Sequence, residues 1–139
     1  FKVNENFMLT YGDGLSDVDL LKTFKFHVKH KKIATLTAVR PPVRFGEVFH
    51  ESGLVKEFKE KPQAHSGWIN GGYFVFNTKI FNYIENDTTM LEREPLEQLV
   101  KDGQLMAYTH EGFWQCMDTV RDRDLLINEW ENGNAKWLK

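Results

Sequence analysis

Residues 7–17, which read FMLTYGDGLSD, decide how the chain begins to fold. The apolar run from Phe7 to Tyr11 has the composition of a short buried strand. Gly12-Asp13-Gly14 follows directly, and glycines on both sides of an aspartate are typical of a turn. Ser16 and Asp17 carry side chains that can cap the N-terminus of a helix. This stretch therefore predicts a strand that delivers Asp13 to a turn, followed by a helix.

A helix and a second strand are predicted directly after this turn. From Val18 onward apolar residues recur at helical spacing, and the basic stretch at residues 27–32 suits the negative end of a helix dipole. We place this helix at about residues 18–30. Residues 33–39 are apolar and β-branched, as in a strand. The order strand, helix, strand favours a right-handed parallel βαβ unit.

The remaining sequence continues this alternation. Residues 45–58 predict a hairpin that turns at Glu51-Ser52-Gly53. Residues 68–77 predict a strand, in which Gly71-Gly72 marks close approach by another backbone or by a ligand. Short helices at 79–84 and 95–101, strands at 105–108 and 113–117, and a last helix capped by Asp118-Thr119 and ending at Gly133 complete the prediction. We expect residues 1–139 to form one α/β domain.

The composition argues against several classes of protein. The 139 residues, 41% hydrophobic and 27% charged, suit one globular domain. No run of about 18 uncharged apolar residues exists, so no membrane span is predicted. The formal net charge of −2, without a basic block, argues against nucleic-acid binding. With Cys116 as its only cysteine the chain has no internal disulfide, and a reducing, cytoplasmic location is expected.

Two aspartates are candidate metal ligands. Asp13 lies where a strand ends, which is where open α/β sheets bind their ligands. Asp118 follows the apolar run at residues 113–117 in the same way. Carboxylates at two strand ends can converge on Mg²⁺, which prefers oxygen ligands and commonly bridges to phosphates. The residues alone leave open that Asp13 stabilises a turn and that Asp118 is a helix N-cap.

Two further segments carry side chains suited to a polar ligand. In Glu60-Lys61-Pro62 the carboxylate can accept hydrogen bonds from sugar hydroxyls and the ammonium can neutralise a phosphate, although a solvated surface pair also explains them. Asn70 beside Gly71 and Gly72 offers an amide and bare backbone, or forms a bulge or turn. Cys116 lies in an apolar run and is expected to be a packed thiol, and most of the five histidines are expected at the surface.

Taken together, these segments resemble one enzyme family. The motifs are, in chain order, YGDGLSD (11–17), TAVRPPVRFG (37–46), EKP (60–62), GWINGGYFVF (67–76), EREPL (92–96) and WQCMDTVRD (114–122). In their order and in their residues they resemble the sugar-phosphate nucleotidylyltransferases over essentially the whole chain. They look most like the members that use CTP and glucose 1-phosphate.

This resemblance implies a fold, a reaction and a set of site residues. The fold is a Rossmann-like nucleotidyltransferase fold with a mixed, mostly parallel sheet. The reaction is Mg²⁺-dependent and joins CTP to α-D-glucose 1-phosphate, giving CDP-glucose and pyrophosphate for CDP-deoxysugars of surface polysaccharide such as O-antigen. A homo-oligomer is implied for the intact enzyme. The implied metal ligands and catalytic residues are Asp13 and Asp118, and the implied substrate-binding residues are Gly12, Glu60, Lys61, Asn70, Gly71 and Gly72.

One departure from the family is large. The glycine-rich Gly-Gly-x-Gly-Thr-Arg loop that cradles the triphosphate in this family does not occur in the chain. We therefore expect the chain to correspond to the C-terminal half or somewhat more of such an enzyme and to be a poor catalyst alone. Because its first strand would present an open edge, we also expect it to self-associate or to need the other half in order to be soluble. Two alternatives stay open: a non-catalytic sugar-phosphate-binding or oligomerisation module, and a relative that uses UTP or dTTP.

Overall fold

A four-stranded mixed sheet organises the part of the chain that the computed structural model describes, residues 5–41, 47–59 and 67–138. In chain order the elements are β1 (Asn6–Thr10), β2 (Gly14–Ser16), α1 (Leu20–His30), β3 (Ala34–Val39), β4 (Glu47–Glu51), β5 (Leu54–Lys59), β6 (Ile69–Asn77), a 3₁₀ helix (Thr78–Tyr83), α2 (Glu94–Lys101), β7 (Leu105–His110), β8 (Trp114–Cys116) and α3 (Val120–Glu131). Every element predicted from the sequence has a counterpart in this series.

The strand order of the main sheet is β1-β6-β3-β7. Strand β6 pairs antiparallel with both β1 and β3, whereas β3 and β7 are parallel. Strands β1 and β3 thus point the same way, as the predicted βαβ unit requires, but β6 lies between them. The α/β fold with a mixed sheet is confirmed, although antiparallel pairings outnumber parallel ones within the described residues.

The main apolar cluster lies on one face of this sheet. Phe74 and Phe76 of β6 point to that face, and their rings stack with centroids 5.2 Å apart. Ile80 of the 3₁₀ helix and Leu96 and Leu99 of α2 cover them, and all are buried. Since each fully buried side chain of this size contributes about 1.5–3 kcal/mol, this cluster holds α2 and the 3₁₀ helix on the sheet.

Two predictions about the first strand and the first helix were wrong in detail. Strand β1 is only partly buried, because it lies at the end of the strand order, and Met8 is 41% exposed. Helix α1 starts at Leu20, and its N-cap is Asp19, whose carboxylate accepts a hydrogen bond from the Lys22 amide at 2.9 Å. Ser16 and Asp17 therefore do not cap it.

The predicted hairpin is confirmed as β4 and β5. Its turn residues Ser52 and Gly53 have φ values of 49° and 85°, the left-handed geometry that tight hairpin turns use. Helix α3 is capped by Thr119, which forms a reciprocal capping box with Asp122. Among the described residues, no helix combines the length and apolar character needed to cross a bilayer.

One of the five histidines, most of which are expected at the surface, is buried. His27 of α1 is 2% exposed, and its Nδ1 atom lies 2.9 Å from the Thr35 hydroxyl on β3. His30 approaches the same hydroxyl, with 2.7 Å between its Nε2 atom and Thr35 Oγ1. Burial, aided by the neighbouring His30, lowers the pKa of His27 from its ordinary 6.5 to about 4. The protein therefore folds with a neutral imidazole between α1 and the sheet.

The lowered pKa of His27 predicts a pH-dependent loss of stability. Above pH 6.5 the ring is neutral in both states, whereas between pH 6.5 and 4 only the unfolded chain takes up the proton. The free energy of unfolding should therefore fall by about 2 kcal/mol between pH 7 and pH 4.5 from this group. Urea denaturation of the wild type and of His27→Gln measures it, and an equally steep fall in both proteins contradicts the assignment.

Candidate active site

A short two-stranded ribbon joins the two distant segments of the chain that carry the candidate metal ligands. Strand β2 pairs antiparallel with β8, with Gly14 opposite Cys116. One step further along, the Met117 amide donates to the Asp13 carbonyl at 2.8 Å. Asp13 and Asp118 therefore leave the same end of the ribbon, and both side chains are exposed there.

Neither aspartate has the structural role that the sequence left open, which was stabilisation of a turn by Asp13 and the N-cap of a helix by Asp118. Within the described residues the Asp13 carboxylate makes no hydrogen bond, so it does not stabilise the turn through its side chain. Asp118 is not the N-cap of α3, since Thr119 occupies that position. Its Oδ2 atom accepts a hydrogen bond from the Cys116 thiol at 3.2 Å. Both residues are exposed, so a ligand can approach their carboxylates.

The asparagine and the two glycines at the start of β6 lie against this ribbon. The Trp114 indole donates to the Gly71 carbonyl at 2.8 Å, and the Tyr11 amide donates to the Gly72 carbonyl at 2.9 Å. Asn70 Oδ1 accepts from the Gly72 amide at 2.9 Å. The structure therefore joins Asn70, Gly71 and Gly72 to the segments that carry Asp13 and Asp118.

Close packing explains why two glycines stand in this strand. A β-carbon on Gly71 would lie 2.8 Å from a methyl group of Val39 and 3.0 Å from the Thr37 carbonyl oxygen. Gly72 has φ of +77°, and a β-carbon there would lie 2.8 Å from the Tyr11 ring. The predicted close approach is thus made by the chain itself. The register of β6 against β3 also shifts here, as the bulge alternative expected.

The other implied substrate-binding residues are Gly12, Glu60 and Lys61. Gly12 is exposed, and a β-carbon there would have nothing within 4 Å, so this face of the turn is open. Glu60 and Lys61 lie outside the described residues.

Two site residues were missed by the sequence analysis. Tyr11 was read as one apolar residue of a strand, yet its hydroxyl donates a short hydrogen bond to Glu92 Oε1 and lies 3.4 Å from Asn70 Nδ2. Burial and the Glu92 hydrogen bond raise the pKa of Tyr11 to about 12, so the phenol stays a donor. Glu92 belonged to a motif that carried the resemblance, but nothing in its spacing related it to Tyr11.

A partly buried contact between a carboxylate and an imidazole braces the ribbon against the main sheet. Asp17 Oδ1 lies 2.8 Å from His110 Nε2 at the end of β7, and the two side chains are 15% and 14% exposed. The adjacent Ser16 hydroxyl donates to the Phe113 carbonyl at 2.8 Å. Gly112 is required here, because a β-carbon on it would lie 2.4 Å from Asp17 Oδ1. Asp17 thus holds the ribbon in place instead of capping α1.

The candidate metal ligands suit a metal ion that is bound by the protein and by the substrate together. Among the described residues there is no group of three or more histidine, cysteine, aspartate or glutamate side chains able to enclose a metal ion. The ribbon offers two carboxylates, Asp13 and Asp118. Two carboxylates leave positions open for water and phosphate oxygens, which is how Mg²⁺ is commonly bound. The residues present therefore fit Mg²⁺ held jointly by protein and substrate.

The hydrogen bond between Cys116 and Asp118 yields a measurable prediction. Burial, followed by the hydrogen bond to Asp118 and the charges of Asp118 and Asp122, raises the pKa of the Cys116 thiol. In Asp118→Asn the nearest charge is gone, so the pKa should fall part of the way to its ordinary value. The pH dependence of alkylation by iodoacetamide measures this shift. Asp124→Asn, which removes a carboxylate paired with Arg123 instead, should leave the profile unchanged; equal profiles for all three proteins contradict the prediction.

Comparison with known proteins relates the chain to one enzyme family. Residues 1–126 match the nucleotidyl transferase family model. The chain is 49% identical over 136 residues to glucose-1-phosphate cytidylyltransferase of Salmonella typhi and to that of Salmonella typhimurium, covering 98% of the chain and 53% of each enzyme. The fold is similar to that of HddC from Yersinia pseudotuberculosis, with a TM-score of 0.65 and 18% identity over 90% of this chain and 55% of that one.

The chain spans about half the length of the curated relatives it matches. That this half is the C-terminal one stays a prediction. The match over residues 1–126 nevertheless covers β1 to α3 up to Leu126, including Asp13, Asn70 and Asp118. The chain therefore belongs to the nucleotidyl transferase family.

Proposed function

We propose that the chain carries the sugar-phosphate side and both metal ligands of a glucose-1-phosphate cytidylyltransferase. This enzyme joins CTP to α-D-glucose 1-phosphate and releases pyrophosphate. The observation that supports the proposal is the β2–β8 ribbon, which pairs the segment of Asp13 with the segment that leads to Asp118 and is hydrogen-bonded to Gly71. The choice of glucose 1-phosphate and CTP follows the two Salmonella enzymes that are 49% identical.

The chemistry requires positioning and charge neutralisation more than covalent help from the protein. A phosphate oxygen of glucose 1-phosphate attacks the α-phosphorus of CTP, and the bond to the pyrophosphate leaving group breaks. Bound Mg²⁺ supplies neutralisation of the charge on the reacting phosphates. Asp13 and Asp118 would hold it. The raised pKa of Cys116 agrees with a mechanism in which no protein thiolate attacks.

The sugar phosphate would lie between the ribbon and the start of β6. Asn70 and the adjoining backbone would face the hexose, and the open face of Gly12 would lie against the sugar or the nucleotide. Glu60 would accept hydrogen bonds from sugar hydroxyls, and Lys61 would meet the sugar phosphate. We place the reaction in the cytoplasm, in a homo-oligomeric enzyme that supplies CDP-deoxysugars for surface polysaccharide such as O-antigen.

The test is pyrophosphate release from CTP, UTP and dTTP with glucose 1-phosphate and Mg²⁺. It is run on this chain and on the protein that the complete gene encodes. We expect the complete protein to prefer CTP and the chain alone to be a poor catalyst, because no glycine-rich triphosphate loop occurs in its sequence. In the complete protein, Asp13→Asn and Asp118→Asn should each lower kcat/KM by about a hundredfold or more. Asp87→Asn, an exposed aspartate in the loop before α2, is the matched control.

Metal binding gives a readout that does not depend on turnover. Mn²⁺ bound to the wild-type chain, measured by electron paramagnetic resonance, should be lost in Asp13→Asn and Asp118→Asn and kept in Asp87→Asn. A complete protein that binds glucose 1-phosphate but is inactive with every nucleotide establishes the binding-module alternative. Preference for UTP or dTTP over CTP establishes a relative with a different base.

A further inference from the structure

A carboxylate from outside the ribbon and β6 reaches the candidate active site. Glu92 lies in the turn that precedes α2, and its side chain is exposed. Its Oε1 atom accepts a short hydrogen bond from the Tyr11 hydroxyl, which also lies 3.4 Å from Asn70 Nδ2. Asn70, Tyr11 and Glu92 thus form a chain of polar groups along one side of the site.

Apolar packing, separate from this contact, attaches α2 to the sheet. Glu92 precedes the first residue of α2, and the buried residues that attach this helix to the sheet are Pro95, Leu96 and Leu99. Within the described residues only one carboxylate oxygen of Glu92 is used, by Tyr11. An exposed carboxylate held in one orientation, with its second oxygen open to solvent, is suited to accept hydrogen bonds from a ligand.

Charge decides which part of a sugar phosphate fits beside Glu92. Asp13 already lies close enough to Tyr11 to act on its phenol electrostatically, so Glu92 adds a negative charge to an acidic region. A phosphate placed against Glu92 would be repelled, whereas sugar hydroxyls are donors that a carboxylate binds well. The hexose ring is therefore the part that fits here, with its phosphate toward the metal side.

We propose that Glu92 binds one or two hydroxyls of the hexose and determines which sugar phosphate is accepted, with Tyr11 as the positioning residue that orients it. This inference rests on the proposed function and adds to it a specificity determinant from a separate segment of the chain. A site built to hydrogen-bond a hydroxyl rejects ligands that lack it or present it in the wrong direction.

Calorimetric titration of the chain with glucose 1-phosphate, with its epimers at carbons 2, 3 and 4, and with inorganic phosphate tests the proposal. Glu92→Ala should weaken glucose 1-phosphate binding about tenfold to a hundredfold and inorganic phosphate binding less than twofold. Preference over at least one epimer should fall in the same variant. Glu92→Gln, which keeps an acceptor but removes the charge, should give an intermediate loss.

Tyr11→Phe separates positioning from contact. It keeps the Glu92 carboxylate but removes the hydroxyl that orients it, so the loss of glucose 1-phosphate binding should be smaller, about threefold to tenfold. Glu97→Gln is the matched control, because Glu97 is exposed on α2 and has no hydrogen bond to Tyr11 or Asn70 in the described part of the chain. It should bind every ligand as the wild type does.

The outcomes separate this inference from the proposed function. A wild-type chain that binds glucose 1-phosphate while Glu92→Ala keeps wild-type affinity and every epimer preference overturns the role of Glu92 alone. A wild-type chain that binds neither glucose 1-phosphate nor its epimers overturns the proposed function, and the inference with it. Equal losses for inorganic phosphate and for the sugar phosphate also overturn the inference, since they indicate a general disturbance of the site.

Discussion

The pairing of Gly14–Ser16 with Trp114–Cys116 is the interaction on which the candidate site depends. It consists of three residue pairs and two further backbone bonds, from the Met117 amide to the Asp13 carbonyl and from the Asp17 amide to the Phe113 carbonyl. Without it, two carboxylates near opposite ends of the chain have no reason to meet. A ribbon this short is marginal by itself, so its position depends on what attaches it to the sheet.

Three attachments hold the ribbon. The Trp114 indole donates to the Gly71 carbonyl, the Tyr73 hydroxyl donates to the Gly14 carbonyl at 2.8 Å, and Asp17 pairs with His110. They link the ribbon to β6 and β7, whose packing against β3 is buried. The main sheet therefore supports the segments of Asp13 and Asp118 through two hydrogen bonds and the Asp17–His110 contact, while the two aspartates themselves stay exposed.

Local patterns in the sequence predicted most elements because the forces behind them are local. The Glu51-Ser52-Gly53 stretch predicted the hairpin turn, where Ser52 and Gly53 have left-handed backbone geometry. Helical periodicity predicted α1, and the apolar run at residues 113–117 predicted β8. The prediction of the helix cap was wrong because two neighbouring residues can each form the same local structure. Asp17 and Asp19 can both cap a helix, and the long-range pair with His110 decides that Asp19 does so. The insertion of β6 between β1 and β3 is likewise long-range, since periodicity carries no information about which strands become neighbours.

The amino-acid sequence by itself determined the α/β class, the strand-end position of Asp13, the glycines of β6 and the family to which the chain belongs, because each depends on neighbouring residues or on motif wording. Only the tertiary structure decided that the segment of Asp13 pairs with the segment before Asp118, that Tyr11 faces the site instead of serving the core alone, and that Glu92 reaches Tyr11. These contacts join segments tens of residues apart. Their geometry follows from how the ribbon, β6 and α2 pack together, which no local preference of the chain encodes.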